Sequence, residues 1–329
     1  KYDPENTVVI MTQTGGQCRA TNYLGLIKRA MVAAGFKNVP VVACGTKGIT
    51  FNPQNDFHID WMRVAPSIVN SLFFIDTLSR MYHAAVVREK LKGKAKEIRD
   101  RYLMLGKESV EAGHSGHLLK LVASAAKEYE ELSDDRQCPK VGVVGEIFLK
   151  FNPFAHLFVT RYLIEHGIEV SPPLMSPFFM QTFVNSKVDY QMHLRRVAPK
   201  TRLTMSLLYR LIYGRMKKYN VAASHFRHFQ PLPDIFDESR LVDGVVSLAG
   251  QFGEGWLLPA DIIACYNEGI RSVVSLQPFG CIANHIVSKG IEKKLHQLCP
   301  DLNLFSLDFD SGVSATNVAN RLILFIESQ

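Results

Sequence analysis

Short apolar runs alternate with longer amphipathic stretches over much of the chain, and this alternation predicts the first structural unit. Apolar runs at residues 7–11 and 39–43 flank an amphipathic stretch at 20–34 that ends at Gly35. Two strand patterns joined by one helix pattern indicate a βαβ unit with parallel strands. The chain therefore opens as an α/β protein.

The same pattern returns in the second half of the chain. A Val-rich run at 140–145 precedes a helix pattern at 154–166, which Gly167 ends, and a strand near 168–170. Strand and helix patterns then alternate to the end of the sequence: strands at 243–248, 272–276 and 302–307, and helices at 259–268, 282–298 and 314–327. Such alternation favours right-handed crossovers and a doubly wound sheet.

Charged helical patterns interrupt this order and suggest a division of the chain. We expect an α/β unit at 1–57, completed by upstream sequence, a helical subdomain at 58–137, and a Rossmann-like domain at 138–329 with a helical insertion at about 177–235. The expected fold class is α/β, with Rossmann-like or flavodoxin-like parallel sheets in two units and helical insertions.

Composition narrows the class of protein. The 329 residues are 47% hydrophobic, enough for a sizeable core, and no segment offers the roughly 18 uninterrupted apolar residues of a membrane span. The first residues lack the apolar stretch of a signal peptide, so we expect a cytoplasmic protein with no membrane partner. The net charge of +7 is spread over helix patterns, which gives no reason to expect nucleic-acid binding.

The six cysteines include no close CxxC pair, which favours reduced thiols or a cluster assembled from distant segments over a disulfide framework. The strand pattern places Cys18, Cys44 and Cys281 just after strands, at the carboxyl edge where ligands bind in parallel sheets. It places the other three elsewhere: Cys138 and Cys299 before strands, and Cys265 inside a helix.

Glycines accompany the two most prominent cysteines and allow the backbone to approach a ligand closely. Gly15 and Gly16 precede Cys18, and Gly280 precedes Cys281. With Arg19, the first loop is also suited to a phosphate at a helix amino end, although it matches neither dinucleotide nor P-loop motifs. Both alternatives remain open from the residues alone.

A third loop brings a carboxylate to the same predicted edge. Gly253, Glu254 and Gly255 form its centre, and the two glycines are candidates for binding a cofactor. Glu254 is the candidate for a ligand or a general base, with a plain turn residue as the alternative. Glu146 directly follows a predicted strand, and we expect it to bind loop N–H groups. His285 is expected to be an ordinary helix residue.

Four segments resemble the carboxyl-terminal region of large 2-hydroxyacyl-CoA dehydratase activase-related proteins, and they occur in the same order. They read TQTGGQCRATNY at 12–23, VGEI at 144–147, GEGWLL at 253–258 and QPFGCIANH at 277–285. The resemblance spans residues 7 to about 325. Gln17 stands where a glycine is expected.

The resemblance implies a dehydratase-like component that binds an iron–sulfur cluster, with Cys18 and Cys281 as ligands and Cys44 supported only by its position. It also implies an ATP-dependent activator module, fused or separate, as electron donor, and an acyl-CoA-type substrate for reductive or dehydration chemistry. A [4Fe–4S] cluster needs about four thiolates, and further family cysteines lie upstream. We therefore do not expect the isolated segment to be active or to retain the cluster.

Two other functions are compatible with the residues. One is a non-catalytic Rossmann-like scaffold in which Cys18 and Cys281 are packing residues. The other is a phosphate-ligand-binding module built on Gly15, Gly16 and Arg19, which has no need of Cys281.

Overall fold

The computed structural model describes residues 3–13, 22–45, 60–310 and 312–327. The chain divides into two compact units, Lys1–Val64 and Ala65–Gln329. The expected α/β class is confirmed, with a two-stranded and a four-stranded parallel sheet.

The first unit is built around a parallel strand pair. Strands β1 (Val9–Gln13) and β2 (Val41–Gly45) pair in register, and helix α1 (Tyr23–Ala33) connects them. The βαβ arrangement predicted from the sequence is therefore present, with each strand about two residues later than expected.

The second unit contains a sheet with the strand order β4-β3-β5-β6. Its strands are β3 (Lys140–Gly145), β4 (Glu169–Ser171), β5 (Ser272–Pro278) and β6 (Asn303–Phe309). All three strand pairs are parallel. Strands β3 and β5 are buried along almost their whole length, which fits the valines they share and the absence of charged residues after Lys140.

Helices make up most of the remaining chain. Their bounds are α2 (Trp61–Ala85), α3 (Lys94–Glu111), α4 (Leu118–Leu132), α5 (Ile147–Phe151), α6 (Val159–Glu165), α7 (Ser176–Gln191), α8 (Pro199–Ala223), α9 (Ile235–Leu241), α10 (Leu257–Asn267), α11 (Ile282–Val287), α12 (Glu292–Leu298) and α13 (Ala315–Glu327).

Helices cover both faces of the four-stranded sheet. On one face, Val141 and Val143 pack in a cluster with residues of α6 and α13. On the other face, Val144 and Val273 share a larger cluster with α10 and α12. Alternate residues of a strand point to opposite faces, so one Val-rich strand serves both clusters.

The larger cluster also contains the core residues of α2, α3 and α4. The helices expected as a separate subdomain at 58–137 therefore share a core with the four-stranded sheet from residue 65 onwards. Their amphipathic faces pack against α7 to α10, which the sequence pattern placed in another domain.

Three local predictions were wrong. The strand expected at 243–248 is a series of turns, in which the N–H groups of Val245 and Val246 bond the Val242 carbonyl and Gly244 has a φ of +69°. The helix expected at 154–166 begins only at Val159. The helix expected at 282–298 breaks around 288–291 into α11, a 3-10 turn and α12.

Candidate functional site

The strand order reverses between β3 and β5, because β4 lies on one side of β3 and β6 lies beyond β5. The helix after β3, α6, packs on one face of the sheet, and α12 after β5 packs on the other. Ligands of open parallel sheets bind at the carboxyl edge, at the point where the strand order reverses. The candidate site is therefore the carboxyl edge of β3 and β5.

The end of β3 is held tightly against β5. Gly145 has a φ of +130°, and a Cβ placed there would lie 2.1 Å from the Leu276 carbonyl oxygen. Glu146 follows it and caps α5, since its carboxylate accepts a hydrogen bond of 3.0 Å from the Leu149 N–H. The expected role of Glu146 in binding loop N–H groups is confirmed.

Glu254 reaches the same strand end from a distant loop. Its side chain is 3% exposed, and its carboxylate accepts a hydrogen bond of 2.6 Å from the Ile147 N–H. Burial, opposed by the nearby Lys150 and assisted by the Glu146 carboxylate, raises the pKa of Glu254 to about 7. Glu254 is thus a buried carboxyl that changes its protonation near neutral pH.

Backbone geometry explains the glycines around Glu254. Gly255 has a φ of +50°, and a Cβ there would lie 2.0 Å from the Gly250 carbonyl oxygen. Gly253 has a φ of +60°, and its carbonyl accepts a hydrogen bond from Gln181. These two predicted cofactor-binding glycines therefore shape the turn that presents Glu254.

Cys281 lies at the start of α11, directly after β5, and is half-buried. The Asn284 side-chain amide donates a hydrogen bond to its sulfur over 3.2 Å. Burial raises the pKa of the Cys281 thiol, Asn284 opposes the shift, and the Glu254 and Glu146 carboxylates add to it. Glu146, Glu254 and Cys281 thus influence one another at one sheet edge.

His285 belongs to the same loop but has a structural partner. Its Nε2 accepts a hydrogen bond of 3.0 Å from the Gly280 N–H, and its ring contacts Phe279 edge-on. Gly280 has a φ of +75°, which fits the turn between β5 and α11. The bond gives one of the two ring nitrogens of His285 a structural role within this turn.

Polar acceptors near this edge have no partner among the described residues. Asn284 and Gln277 are fully buried, and the side-chain oxygen of each lacks a hydrogen bond in the described part of the chain. Gln181, whose amide holds the Gly253 carbonyl, also has a buried side-chain oxygen without a described donor. Such groups are costly in a purely structural core.

Several large apolar side chains on loops and helix starts at this edge are exposed. We call this set the apolar rim; its members are Phe148, Phe252, Phe279, Ile282 and Ile286, each 51–63% exposed. Exposed apolar groups in one region are typical of a surface that another molecule or segment covers.

The buried ionic group behind Glu254 was not predicted. The Lys150 ammonium is almost fully buried and lies 3.6 Å from the Asp261 carboxylate. Lys150 follows Glu146 by about one turn of α5, so its closeness to the end of β3 could have been inferred from the sequence after the strand. Its contact with Asp261 joins α5 to α10 and is not visible in any local pattern.

The remaining predicted site residues divide into two groups. Cys18, Gly15, Gly16 and Arg19 lie outside the described residues. Cys44 lies within β2, opposite Thr12, rather than after the strand.

The other three cysteines lie where the sequence placed them. Cys138 precedes β3, Cys299 ends α12 before β6, and Cys265 is buried in α10 against Gly142.

Among residues 3–13, 22–45, 60–310 and 312–327, no group of three or more His, Cys, Asp or Glu side chains is arranged to hold a metal ion. In the same part of the chain, no helix is both long and apolar enough to cross a membrane.

Comparison of the chain with family models, with curated proteins and with solved structures found no match. The resemblance therefore depends only on the four segments of this sequence that carry it, three of which meet at the carboxyl edge of the four-stranded sheet.

Proposed function

We propose that the chain is a segment of an iron–sulfur protein related to 2-hydroxyacyl-CoA dehydratase components, with the Cys281 thiolate as one cluster ligand. The whole protein would receive an electron from an ATP-driven activator and act on an acyl-CoA-type substrate. The position of Cys281 carries the proposal, because this cysteine lies where the strand order reverses and where parallel sheets bind ligands.

The surroundings of Cys281 support a role beyond packing. The Asn284 amide points a donor at the sulfur, as hydrogen bonds to thiolate ligands of iron–sulfur clusters do. The buried, unpartnered acceptors of Asn284 and Gln277 and the exposed apolar rim are further features that a scaffold does not need.

Among the described residues, Cys281 is suited to serve as one ligand of a cluster. Cys281 supplies a single thiolate, and the resemblance implies that the other ligands would come from Cys18 or from upstream sequence. A bound cluster supplies one-electron transfer and a Lewis-acidic iron. Glu254, with its pKa of about 7, is placed to hold or release a proton at its carboxylate beside that centre.

The phosphate-binding alternative receives less support at this edge. The Glu146 and Glu254 carboxylates both raise the pKa of Cys281, so when ionised they disfavour a second anion beside that thiol. The glycines and the arginine on which that alternative was based lie outside the described residues.

The test is the iron and acid-labile sulfide content of the full-length protein, purified without oxygen. We expect both elements in the wild-type protein and at least half of the iron to be lost in Cys281→Ala, because one thiolate ligand is removed. Cys138→Ala is the matched control, since Cys138 is also half-buried and lies at the opposite edge of the sheet.

Both variants are first compared with wild type by thermal unfolding, so that loss of iron is not mistaken for loss of the fold. Absence of iron and sulfide from the wild-type protein would overturn the proposal. Equal iron retention in Cys281→Ala and Cys138→Ala would overturn the assignment of Cys281 as a ligand.

A further inference from the structure

Helix α8 packs one side against the core of the second unit. Met216, Tyr219 and Ala223 are buried, and Met205, Tyr209 and Ile212 pack on the same core. These positions recur every three or four residues, so they form one stripe along the helix. This stripe explains how the 25-residue helix is attached to the molecule.

A second apolar stripe lies on the opposite side of the helix. Leu203, Leu207 and Leu211 follow one another at a spacing of four residues and are 63%, 51% and 73% exposed, and Val221 is 70% exposed. At about 3.6 residues per turn, they lie roughly half a turn away from the buried stripe. Nothing in the core of this unit accounts for four exposed branched apolar residues on one helix face.

Cations lie on and beside this second stripe, and the stretch of sequence around it contains no carboxylate. Residues 190–233 contain no Asp or Glu, whereas α8 alone contains Lys200, Arg202, Arg210, Arg215, Lys217 and Lys218. Arg202 and Lys217 lie over the rings of Tyr190 and Tyr213. Among the ion pairs of the described residues, none involves Lys200, Arg210 or Lys218, the three cations nearest to the exposed leucines along the helix face.

Gly214 lies on the same face, between Leu211 and Lys218. A Cβ built at this position meets nothing within 4 Å, so no contact within the described structure requires a glycine here. Glycine in a helix interior is less favourable than alanine. The open surface over Gly214, which has no side chain, allows another backbone to approach closely.

We propose that this outer α8 face, formed by Leu203, Leu207, Leu211, Gly214 and Val221 with Lys200, Arg210 and Lys218, binds an acidic amphipathic helix of a partner protein. The partner's apolar side chains pack on the leucines, and its carboxylates pair with the three cations. This inference does not depend on the proposed iron–sulfur function.

The chemistry of the face favours a protein partner over a lipid surface. The cations Arg210 and Lys218 lie among the apolar residues rather than along one border, so they require carboxylates at defined positions. A lipid headgroup layer gains nothing from the gap at Gly214, whereas a second helix can approach closely over it.

The probe for this surface is a fluorescein-labelled peptide of about 18 residues, built from leucine and glutamate with leucines at i, i+3, i+4 and i+7. Titration with the whole chain, followed by anisotropy, is expected to show saturable binding that weakens as salt rises. Leu211→Glu places a carboxylate in the apolar stripe and should weaken binding at least about tenfold.

Leu324→Glu on α13 is the matched control, since Leu324 is 67% exposed and lies on another helix. It should leave peptide binding unchanged. Gly214→Ala should raise the thermal unfolding temperature, because alanine is the better helix former, and yet weaken peptide binding.

No saturable binding, equal weakening by Leu211→Glu and Leu324→Glu, or unchanged binding in Gly214→Ala would each overturn the proposal. A parallel titration uses vesicles of phosphatidylserine and phosphatidylcholine. Binding to these vesicles without binding to the peptide would assign the outer α8 face to an anionic lipid surface and overturn the assignment to a protein.

Discussion

The two edges of the four-stranded sheet differ in whether a buried carboxylate is paired with cations. At the amino edge, the Glu169 carboxylate accepts a hydrogen bond of 2.6 Å from Arg88 and lies 3.3 Å from the Lys140 ammonium. At the carboxyl edge, Glu254 accepts a hydrogen bond from the Ile147 N–H, has no ion pair among the described residues, and has its pKa raised to about 7 despite the nearby Lys150. One edge neutralises its carboxylate with cations, and the other leaves it near its titration point.

This difference distinguishes carboxylates that hold the fold together from carboxylates that could take part in a reaction. A buried charge paired with cations and hydrogen bonds joins elements together, as Arg88 of the α2–α3 connection does with β4. A buried carboxyl without a contacting cation is more costly to keep, and such groups concentrate at functional sites. The contrast therefore supports the carboxyl edge as the site of chemistry.

A cleft at the amino edge illustrates the same point. Arg80, Lys140, Glu169 and His228 line it. Arg80 donates to the Pro231 carbonyl over 2.8 Å, and Lys140 already faces Glu169. Lys140 and Glu169 pair with each other and Arg80 bonds a backbone carbonyl, although the buried Arg80 Nε has no partner among the described residues. The cleft's concave shape alone therefore does not make it the better candidate.

Replacing Arg88 by methionine is expected to give the largest effect. The change leaves Glu169 buried with only Lys140 beside it and removes hydrogen bonds to the Ala84 and Arg136 carbonyls. The free energy of unfolding should fall by about 3–5 kcal/mol, measured by denaturant unfolding. Arg240→Met removes the exposed pair with Asp237 and should change stability by less than about 1 kcal/mol. Similar losses in the two variants would contradict the structural role of the amino edge.

Replacing Glu254 by glutamine tests whether the raised pKa of this carboxyl makes the stability of the protein depend on pH. The folded-state pKa of about 7 lies above the ordinary glutamate pKa of 4.5, so the folded state binds more protons than the unfolded state between these pH values. The contribution of Glu254 to the free energy of unfolding should therefore be fully present below about pH 4.5 and be lost as the pH rises through about 7. At pH 8 the folded wild-type protein has to bury the ionised Glu254 carboxylate, whereas glutamine carries no charge. Glu254→Gln should therefore be more stable than wild type at pH 8, by at most about 3 kcal/mol.

The measurement is the difference in unfolding free energy between wild type and Glu254→Gln at several pH values from 5 to 8. Glu165→Gln, on the surface beside Arg161, is the control and should give a flat difference. A flat difference for Glu254→Gln as well would contradict the buried, uncompensated state of Glu254.

The smallest expected effect concerns the thiol at the same edge. In the metal-free chain, the Glu254 carboxylate contributes to the raised pKa of Cys281, so Glu254→Gln should lower that pKa by a fraction of a unit. Alkylation rates of Cys281 against pH, resolved by peptide mass spectrometry, measure the shift. The profile of Cys138 should not move, since its neighbouring carboxylates are Glu169 and Asp134. A Cys281 profile that stays in place would contradict the coupling of these two groups.

The sequence pattern was informative where local chemistry decides the structure. The Val-rich run at 140–145 was predicted residue for residue, because a strand buried on both faces needs an unbroken apolar run. Glu146 was predicted to bind loop N–H groups, and its capping contact spans only three residues.

Prediction failed where a short apolar run or a distant contact decides the structure. The Val245–Val246 run has a strand pattern, but such short runs do not determine strand pairing, and it forms turns. Glu254 was identified as a candidate, yet its bond to Ile147 spans 107 residues, so no local pattern shows it. The shared core of α2 to α4 and α7 to α10 was missed for the same reason.

Protection of Cys281 from alkylation tests the proposed cluster role most directly. The full-length protein, purified without oxygen, is alkylated before and after iron is removed with a chelator, and each cysteine is quantified by peptide mass spectrometry. We predict that Cys281 becomes alkylated only after iron removal, because a thiolate bound to iron cannot react freely, while Cys138 reacts equally in both states. Equal alkylation of Cys281 with and without the chelator would contradict its role as a cluster ligand.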